Sequence, residues 1–281
     1  MTIENLHNEL PDRLKAETCD TIQFFLRSNA DQQMRFVIHL GGLLDFEVLK
    51  KAVRLTIYQE PIFSYTYQED SNGAYWQKQR EIDSALLVDC VDVIEDEQRE
   101  IDKFITQASS PFDFPLVKIR LIRCKQKDVL CINMNHTPTD GAGLKEFARI
   151  LSENYNGLLE NPEYASRPNI GGDRGIKQVT DRFTFPQKIR FTMQGLKKPK
   201  KNPSWSFNWK KANSVNSNQF VTTKISSETF LRIKTFGKCN GYTVNDIVLA
   251  AFIRSFVRAR QGNENVSKPL IIPVDLRIYK A

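Results

Sequence analysis

The stretch Cys131-Ile-Asn-Met-Asn-His136-Thr-Pro-Thr-Asp140-Gly-Ala-Gly143 changes character twice. Its first part continues the apolar run Val129 to Met134, which reads as a strand. From Gly141 to about Tyr155, Leu144, Phe147, Ala148 and Leu151 share one helical face. Between them lies a tight loop flanked by His136 and Asp140. Loops at strand ends, held by a rigid scaffold, are where catalytic groups often sit. A histidine there can act as a general base near neutral pH. Gly141 and Gly143 permit unusual backbone angles. The residue types alone fit two readings: a catalytic histidine, or a turn histidine followed by an aspartate that simply caps a helix.

Outward from this loop, the first 156 residues read as mixed α and β. Arg35–Leu40 is a β-prone run broken by Gly41-Gly42. Asp45 can cap a helix to about Tyr58, with Phe46, Leu49, Val53 and Ile57 at helical spacing. Pro61 ends it. Ile62–Tyr67 alternates like a strand and, through the turn Ser71-Asn72-Gly73, forms a hairpin with Ala74–Gln77. His39, alternating with Val37, reads as a structural histidine on a core or tunnel wall. Glu95 to Ala108 reads as helix. Leu116–Arg123 is a strand, separated from Val129–Met134 by the polar turn Lys125–Asp128. Residues 157–217 have poor periodicity and read as a linker with some helix near Gln187–Leu196. A strand is expected at Gln219–Ile225 and a helix capped by Ser226 or Ser227 and ended by Asn240-Gly241. A second helix, Val244 to Arg260, is apolar enough to be buried on most sides. A last strand comes after it at Leu270–Arg277. This gives a lobe at 1–156, a basic linker at 157–217 and the start of a second lobe at 218–281. The chain stops at Ala281, four residues past that strand; a β-α-α-β unit makes a poor core by itself, so either it docks on the first lobe or the chain is a piece of something longer.

Composition narrows the classes. The chain has 281 residues, 41% hydrophobic and 10% aromatic, with 13 Gly and 12 Pro, which excludes disordered and collagen-like proteins. No apolar run approaches the roughly 20 residues that span a membrane, and the N-terminus does not read as a secretory signal. Five widely spaced cysteines without a CxxC fit neither a disulfide framework nor a zinc site. The natural compartment is a reducing cytoplasm. Only three histidines exist, His7, His39 and His136, and no acidic cluster has ligand spacing, so no metal is expected. Net charge is +7, but Arg174 to Lys211 alone holds eleven Lys/Arg against Asp181. Lys197–Lys201, followed by Trp205, Phe207 and Trp209, fits a single-stranded nucleic-acid groove or a membrane surface. Its place between two ordered regions favours a crossover with solvated lysines. Nucleic acid is therefore disfavoured, and peripheral membrane contact through this segment stays open.

His136-Thr-Pro-Thr-Asp140-Gly141 resembles the H-x-x-x-D-G signature of the superfamily of chloramphenicol acetyltransferase, carnitine acyltransferases and nonribosomal-peptide condensation domains. The flanks agree in order. Phe112-Asp113-Phe114-Pro115-Leu116 through Arg120 is similar to the family's "F-D-x-x-x-P-L-hydrophobic-R" strand, with a shorter gap before the proline. Leu40–Ala52 is similar to its "G-x-L-D-x-x-x-L-x-x-A" helix start, and Gln59–Phe63 to its "R-H-P-x-L/F". Thr243–Ala251 resembles the "T-x-N-D-hydrophobic-L-x-A" helix, and Ile272–Arg277 the "h-P-V-x-L-R" strand. Condensation domains usually carry two adjacent histidines, and Asn135 stands at the first of these positions.

The resemblance implies an α+β, two-lobed chloramphenicol-acetyltransferase-like α/β sandwich with a mixed sheet and an incomplete second lobe. It implies an acyltransferase that moves an acyl group from coenzyme A or a carrier protein's phosphopantetheine to a hydroxyl or amine. In that reading His136 is the general base. Asp140 is structural, paired with an arginine for which Arg277 is the candidate, and Gly141 lets the loop turn close to the substrate. No cofactor is permanently bound, and no residue is assigned to the donor. A basic entrance would suit coenzyme A phosphates or an acidic carrier protein. The alternative is a catalytically silent or truncated relative acting as a binding or structural module.

Overall fold

The computed structural model describes residues 10–28, 31–82, 85–169, 174–175, 177–196 and 220–259. The chain divides into two units, residues 1–178 and 179–281. In the first, β1 (Arg13–Lys15), α1 (Thr18–Leu26), β2 (Gln33–His39), α2 (Phe46–Gln59), a 3-10 turn (Pro61–Ser64), β3 (Tyr65–Asp70) and β4 (Gly73–Lys78) come first. Next are β5 (Val88–Asp92), α3 (Glu97–Ile105), β6 (Val117–Cys124), β7 (Lys127–Asn135) and α4 (Gly141–Glu160).

The main sheet has the order β2-β7-β6-β5. β7 pairs antiparallel with both β2 and β6, while β5 pairs parallel with β6, so the sheet is mixed. The parallel pair is joined by the crossover carrying α3, as parallel strands require. β7 is central and buried at every position after Lys127. Its alternate side chains serve two layers, because strand residues point to opposite faces in turn. Leu130, Ile132 and Met134 join the core under α2 and α4, with Leu49, Val53, Leu144, Phe147 and Leu151. Val129 and Cys131 face the other way, onto Ile101, Phe104 and Ile105 of α3. Each such aliphatic side chain contributes about 1.5–3 kcal/mol on full burial. A separate antiparallel sheet, β1-β4-β3, carries the fully buried Tyr65, Tyr67 and Trp76.

Local chemistry sets the element ends. Asp45 caps α2 by accepting from the N–H groups of Glu47 at 2.9 Å and Val48 at 3.0 Å. β6 and β7 meet in a tight hairpin whose last pair is Cys124 with Lys127. The expected strand Ile62–Tyr67 is corrected: Pro61 supplies a helical φ and opens a 3-10 turn, and β3 begins only at Tyr65. His39 is corrected too. It sits at the outer end of β2 with its side chain 57% exposed, not on a core wall. What reaches its ring is Glu97, the first residue of α3.

α5 (Lys177–Thr180) spans the unit boundary, and α6 (Phe185–Leu196), α7 (Ser227–Asn240) and α8 (Val244–Ala259) lie beyond it. The described part of the basic segment thus forms helix and no strand. Ser226 accepts from the Thr229 N–H to cap α7, which ends on Gly241 at φ 74°, a left-handed position suited to glycine. Thr243 Oγ1 accepts from the Asp246 N–H, and Asp246 Oδ2 from the Thr243 N–H, at the start of α8. Two expectations fail here. Residues 220–226 form no strand, and α8 has no buried residue, with Phe252 57% exposed. Apolar content gives burial only where another layer covers it, and the described residues of this unit include no strand. Leu270–Arg277 lies outside the described residues. Among the described residues no helix is long and apolar enough to cross a membrane.

Candidate active site

β7 delivers the chain to the loop, and its last residue shapes the turn beyond it. Asn135 is fully buried. Its amide donates to the Ser109 carbonyl at 3.3 Å, and its Oδ1 accepts from the Thr137 N–H at 2.9 Å. That second bond is an Asx-type turn, the geometry in which asparagine substitutes for a backbone acceptor. The residue in the place of a first histidine therefore folds the loop. Nothing in the motif marks this role, although asparagine's turn chemistry is a usable signal.

His136 stands directly past the strand. Its N–H donates to the Gln32 carbonyl at 2.9 Å, tying the loop to the chain just before β2. The ring is half-buried, and Nδ1 is sealed from solvent with no hydrogen-bond partner among the described residues. Thr137 is buried beside it, with Oγ1 likewise unpartnered among them. Buried polar atoms are normally satisfied, so two neighbouring exceptions mark the loop.

Asp140 is the N-cap of α4, and its Oδ1 accepts from the Gly143 N–H at 2.9 Å. Gly141 occupies the first helical position and does not have a positive φ. Open space lies where its Cβ would be. The constrained glycine is Gly143, whose Cβ would lie 1.9 Å from Thr139 Oγ1. Arg277 lies outside the described residues. The arginine that the described residues bring to the loop is Arg174, whose guanidinium donates to the Pro138 carbonyl at 2.6 Å.

Behind the loop is a small cavity of about 120 Å³, reached by Glu60, Phe63, Thr139, Glu146 and Arg174. Burial pushes the Glu60 carboxyl up, with a lesser contribution from the Glu146 charge and a partial offset from its hydrogen bond to Asn169. Cys131 is no nucleophile: burial against the α3 layer raises its thiol to about 12. The described residues include no group of His, Cys, Asp or Glu that could hold a metal. A larger hollow of about 460 Å³, lined by Glu97, Cys124 and Lys127, lies at the opposite end of β7 from His136.

The Condensation domain family matches residues 22–170. No curated protein matches the sequence. Among solved structures, the first condensation domain of the CDA synthetase is 16% identical, with a TM-score of 0.65 over 88% of this chain and 62% of that one. The first condensation domain of the calcium-dependent antibiotic synthetase, in complex with substrate analogue 2a, is also 16% identical. Its TM-score is 0.67 over 88% of this chain and 61% of that one. The starter condensation domain of rhizomide synthetase RzmA is 13% identical, covering 66% of this chain and 44% of that one at a TM-score of 0.48. The chain thus spans less than two thirds of each of these three structures. The first two likenesses show the two-lobed α/β sandwich fold.

Proposed function

Since the chain belongs to the condensation-domain family, we propose that it moves an acyl group from a thioester to an amine or hydroxyl acceptor, with His136 as general base. The donor would be an acyl group on coenzyme A or on a carrier protein's phosphopantetheine. The acceptor attacks the thioester carbonyl as His136 Nε2 takes its proton, and the proton then leaves with the thiol. Nε2 serves because Nδ1 is sealed from solvent. The observation that carries this is a His136 ring at the end of a rigid strand whose Nδ1 has no hydrogen-bond partner among the described residues, while the neighbouring carboxylate is engaged at the helix N-terminus. Asp140 therefore shapes the loop, with no part assigned to it in proton transfer. The open space over Gly141 suits close approach of a substrate. In this reading residues 1–156 are the first lobe, 157–217 the linker and 218–281 the start of the second. The positive charge of Arg174–Lys211 would favour coenzyme A phosphates or an acidic carrier protein.

The test offers the full chain a panel of acyl-coenzyme A and acyl-pantetheine thioesters with amine and hydroxyl acceptors, and follows free thiol. His136→Ala is expected to lower turnover by roughly 10²–10⁴-fold with the melting temperature unchanged. Near-parental turnover in that variant would remove His136 from the mechanism. A parent chain that releases no thiol from any donor would support a catalytically silent relative.

A further inference from the structure

The middle of the His136–Asp140 loop is held by a residue 36 positions away in sequence. Arg174 forks onto Asp20, donating to Oδ2 at 3.1 Å and to Oδ1 at 2.7 Å, and also donates to the Pro138 carbonyl at 2.6 Å. Asp20 is a firm anchor, since its side chain is only 4% exposed. Oδ2 also accepts from Trp76 Nε1 at 2.8 Å and from the Glu17 N–H at 2.9 Å. Trp76 is fully buried, and its ring lies 5.8 Å from the Arg174 guanidinium carbon. The anchor therefore joins α1, β4 and the loop. Pro138 has no N–H, so its carbonyl is the one backbone group through which that residue can be hydrogen-bonded. Bonds from a charged donor are about twice as strong as neutral ones.

We infer that Arg174 is a positioning residue for His136: bound to Asp20, it fixes the Pro138 carbonyl and with it the loop that presents the imidazole. A guanidinium can do this because one planar group offers donors to both acceptors, which a single ammonium point charge does less well. The inference takes from the proposed function only that His136 is the working residue, and its test requires no acyl transfer.

The test uses the full chain carrying Arg174→Ala, Arg174→Lys or Asp20→Asn. Three quantities are read: amide exchange by mass spectrometry, the rate at which diethyl pyrocarbonate modifies His136, and the melting temperature. The expected result is exchange at least tenfold faster across residues 136–143, with β6 and β7 unchanged. The His136 modification rate should shift at least threefold. Arg174→Lys should fall between parent and Arg174→Ala, since it keeps charge against Asp20 but loses the fork. Should Arg174→Ala fail to fold, Arg174→Lys and Asp20→Asn carry the same comparison. A variant that lowers the melting temperature while leaving loop exchange and His136 reactivity at parental values overturns the inference, because Arg174 would then only neutralise Asp20. A shifted loop in a chain that transfers no acyl group would sink the proposed function and leave the inference standing.

Discussion

Two histidines stand at opposite ends of the ladder between β2 and β7, and their surroundings differ. His39 closes β2 opposite Val129, and its Nδ1 lies 3.3 Å from Glu97 Oε1. The same carboxylate takes a contact from Lys127 at 3.2 Å and a hydrogen bond from the Cys124 thiol at 3.4 Å. Nearby, the fully buried Asp128 accepts from Arg123 and from the Leu44 N–H. Polar groups at this end share partners. At the other end, His136 Nδ1 and Thr137 Oγ1 are buried without one among the described residues. An unsatisfied buried polar atom costs about 1–3 kcal/mol, so a fold that retains two adjacent ones gains nothing in stability from them. The hairpin end is built for cohesion. The loop end leaves the Nδ1 of a histidine without a partner among the described residues.

That contrast can be broken by exchange. His136→Ala should remove acyl transfer by the factor given above, whereas His39→Ala should leave turnover within about twofold, since it loses only an exposed contact. Equal losses in thiol release would erase the distinction between the two ends.

Next in size is the buried carboxylate at the hairpin. Asp128→Ala leaves the Leu44 N–H without its acceptor and the Arg123 guanidinium with the Leu44 carbonyl, at 2.6 Å, but no carboxylate. Charged hydrogen bonds of this kind are worth roughly 1.5–3 kcal/mol each, and a loss of about 3 kcal/mol is expected in denaturant titration. Asp128→Asn, which keeps the acceptor for Leu44, should lose about half as much. A loss below about 1 kcal/mol in Asp128→Ala would show that the hairpin end is not held by this group.

Asp140→Ala should destabilise by about 1 kcal/mol through loss of the α4 cap, while Asp140→Asn, an equally good cap, should change stability by a few tenths. A large stability loss in Asp140→Asn would point to a role for the negative charge beyond the cap.

The smallest effect concerns Glu97. Burial pulls its carboxyl up, but hydrogen bonds from Lys127 and Cys124 and the charges of Lys127 and His39 leave it below its ordinary 4.5. A lowered folded value means that its stabilisation is present in full above pH 4.5 and is lost as pH falls through the folded value. Glu97→Gln should therefore cost under about 1 kcal/mol at neutral pH and nothing in acid, read from melting curves at both. A difference that persisted at low pH would contradict the ion pair.

What the sequence disclosed divides along the same line of local against distant cause. α2 was legible because Asp45 and Pro61 bracket it, and α4 because Asp140 opens an apolar helical face. The His136 loop was legible as a strand–loop–helix junction. β5 was missed although Val88, Cys90 and Asp92 alternate with Asp89 and Val91, because its partner is a parallel strand across a helix and local pattern does not reveal pairing. β1 and α1 were missed as well. So was Asp20, whose importance arises only where Trp76 and Arg174 converge on it. His39 was misplaced because alternation assigns a face without saying how far the covering layer extends. The helical spacing of α8 was read correctly, but its burial was not, since burial depends on a partner layer.

The ladder between β2 and β7 also carries an implication for the order in which the protein assembles. β7 meets β6 through an adjacent hairpin, the sort of contact that forms in about 1–10 μs. Its other neighbour, from Gln33 opposite Asn135 to His39 opposite Val129, is separated from it in sequence by some hundred residues at one end. Closing so long a loop is entropically costly and slow by comparison. Because the His136 N–H is held by Gln32, just ahead of β2, the imidazole reaches its final setting only after that distant edge has docked. On a ribosome the hairpin would close as soon as it emerged, while the His136 ring would be among the last groups at this edge of the sheet to be locked in place.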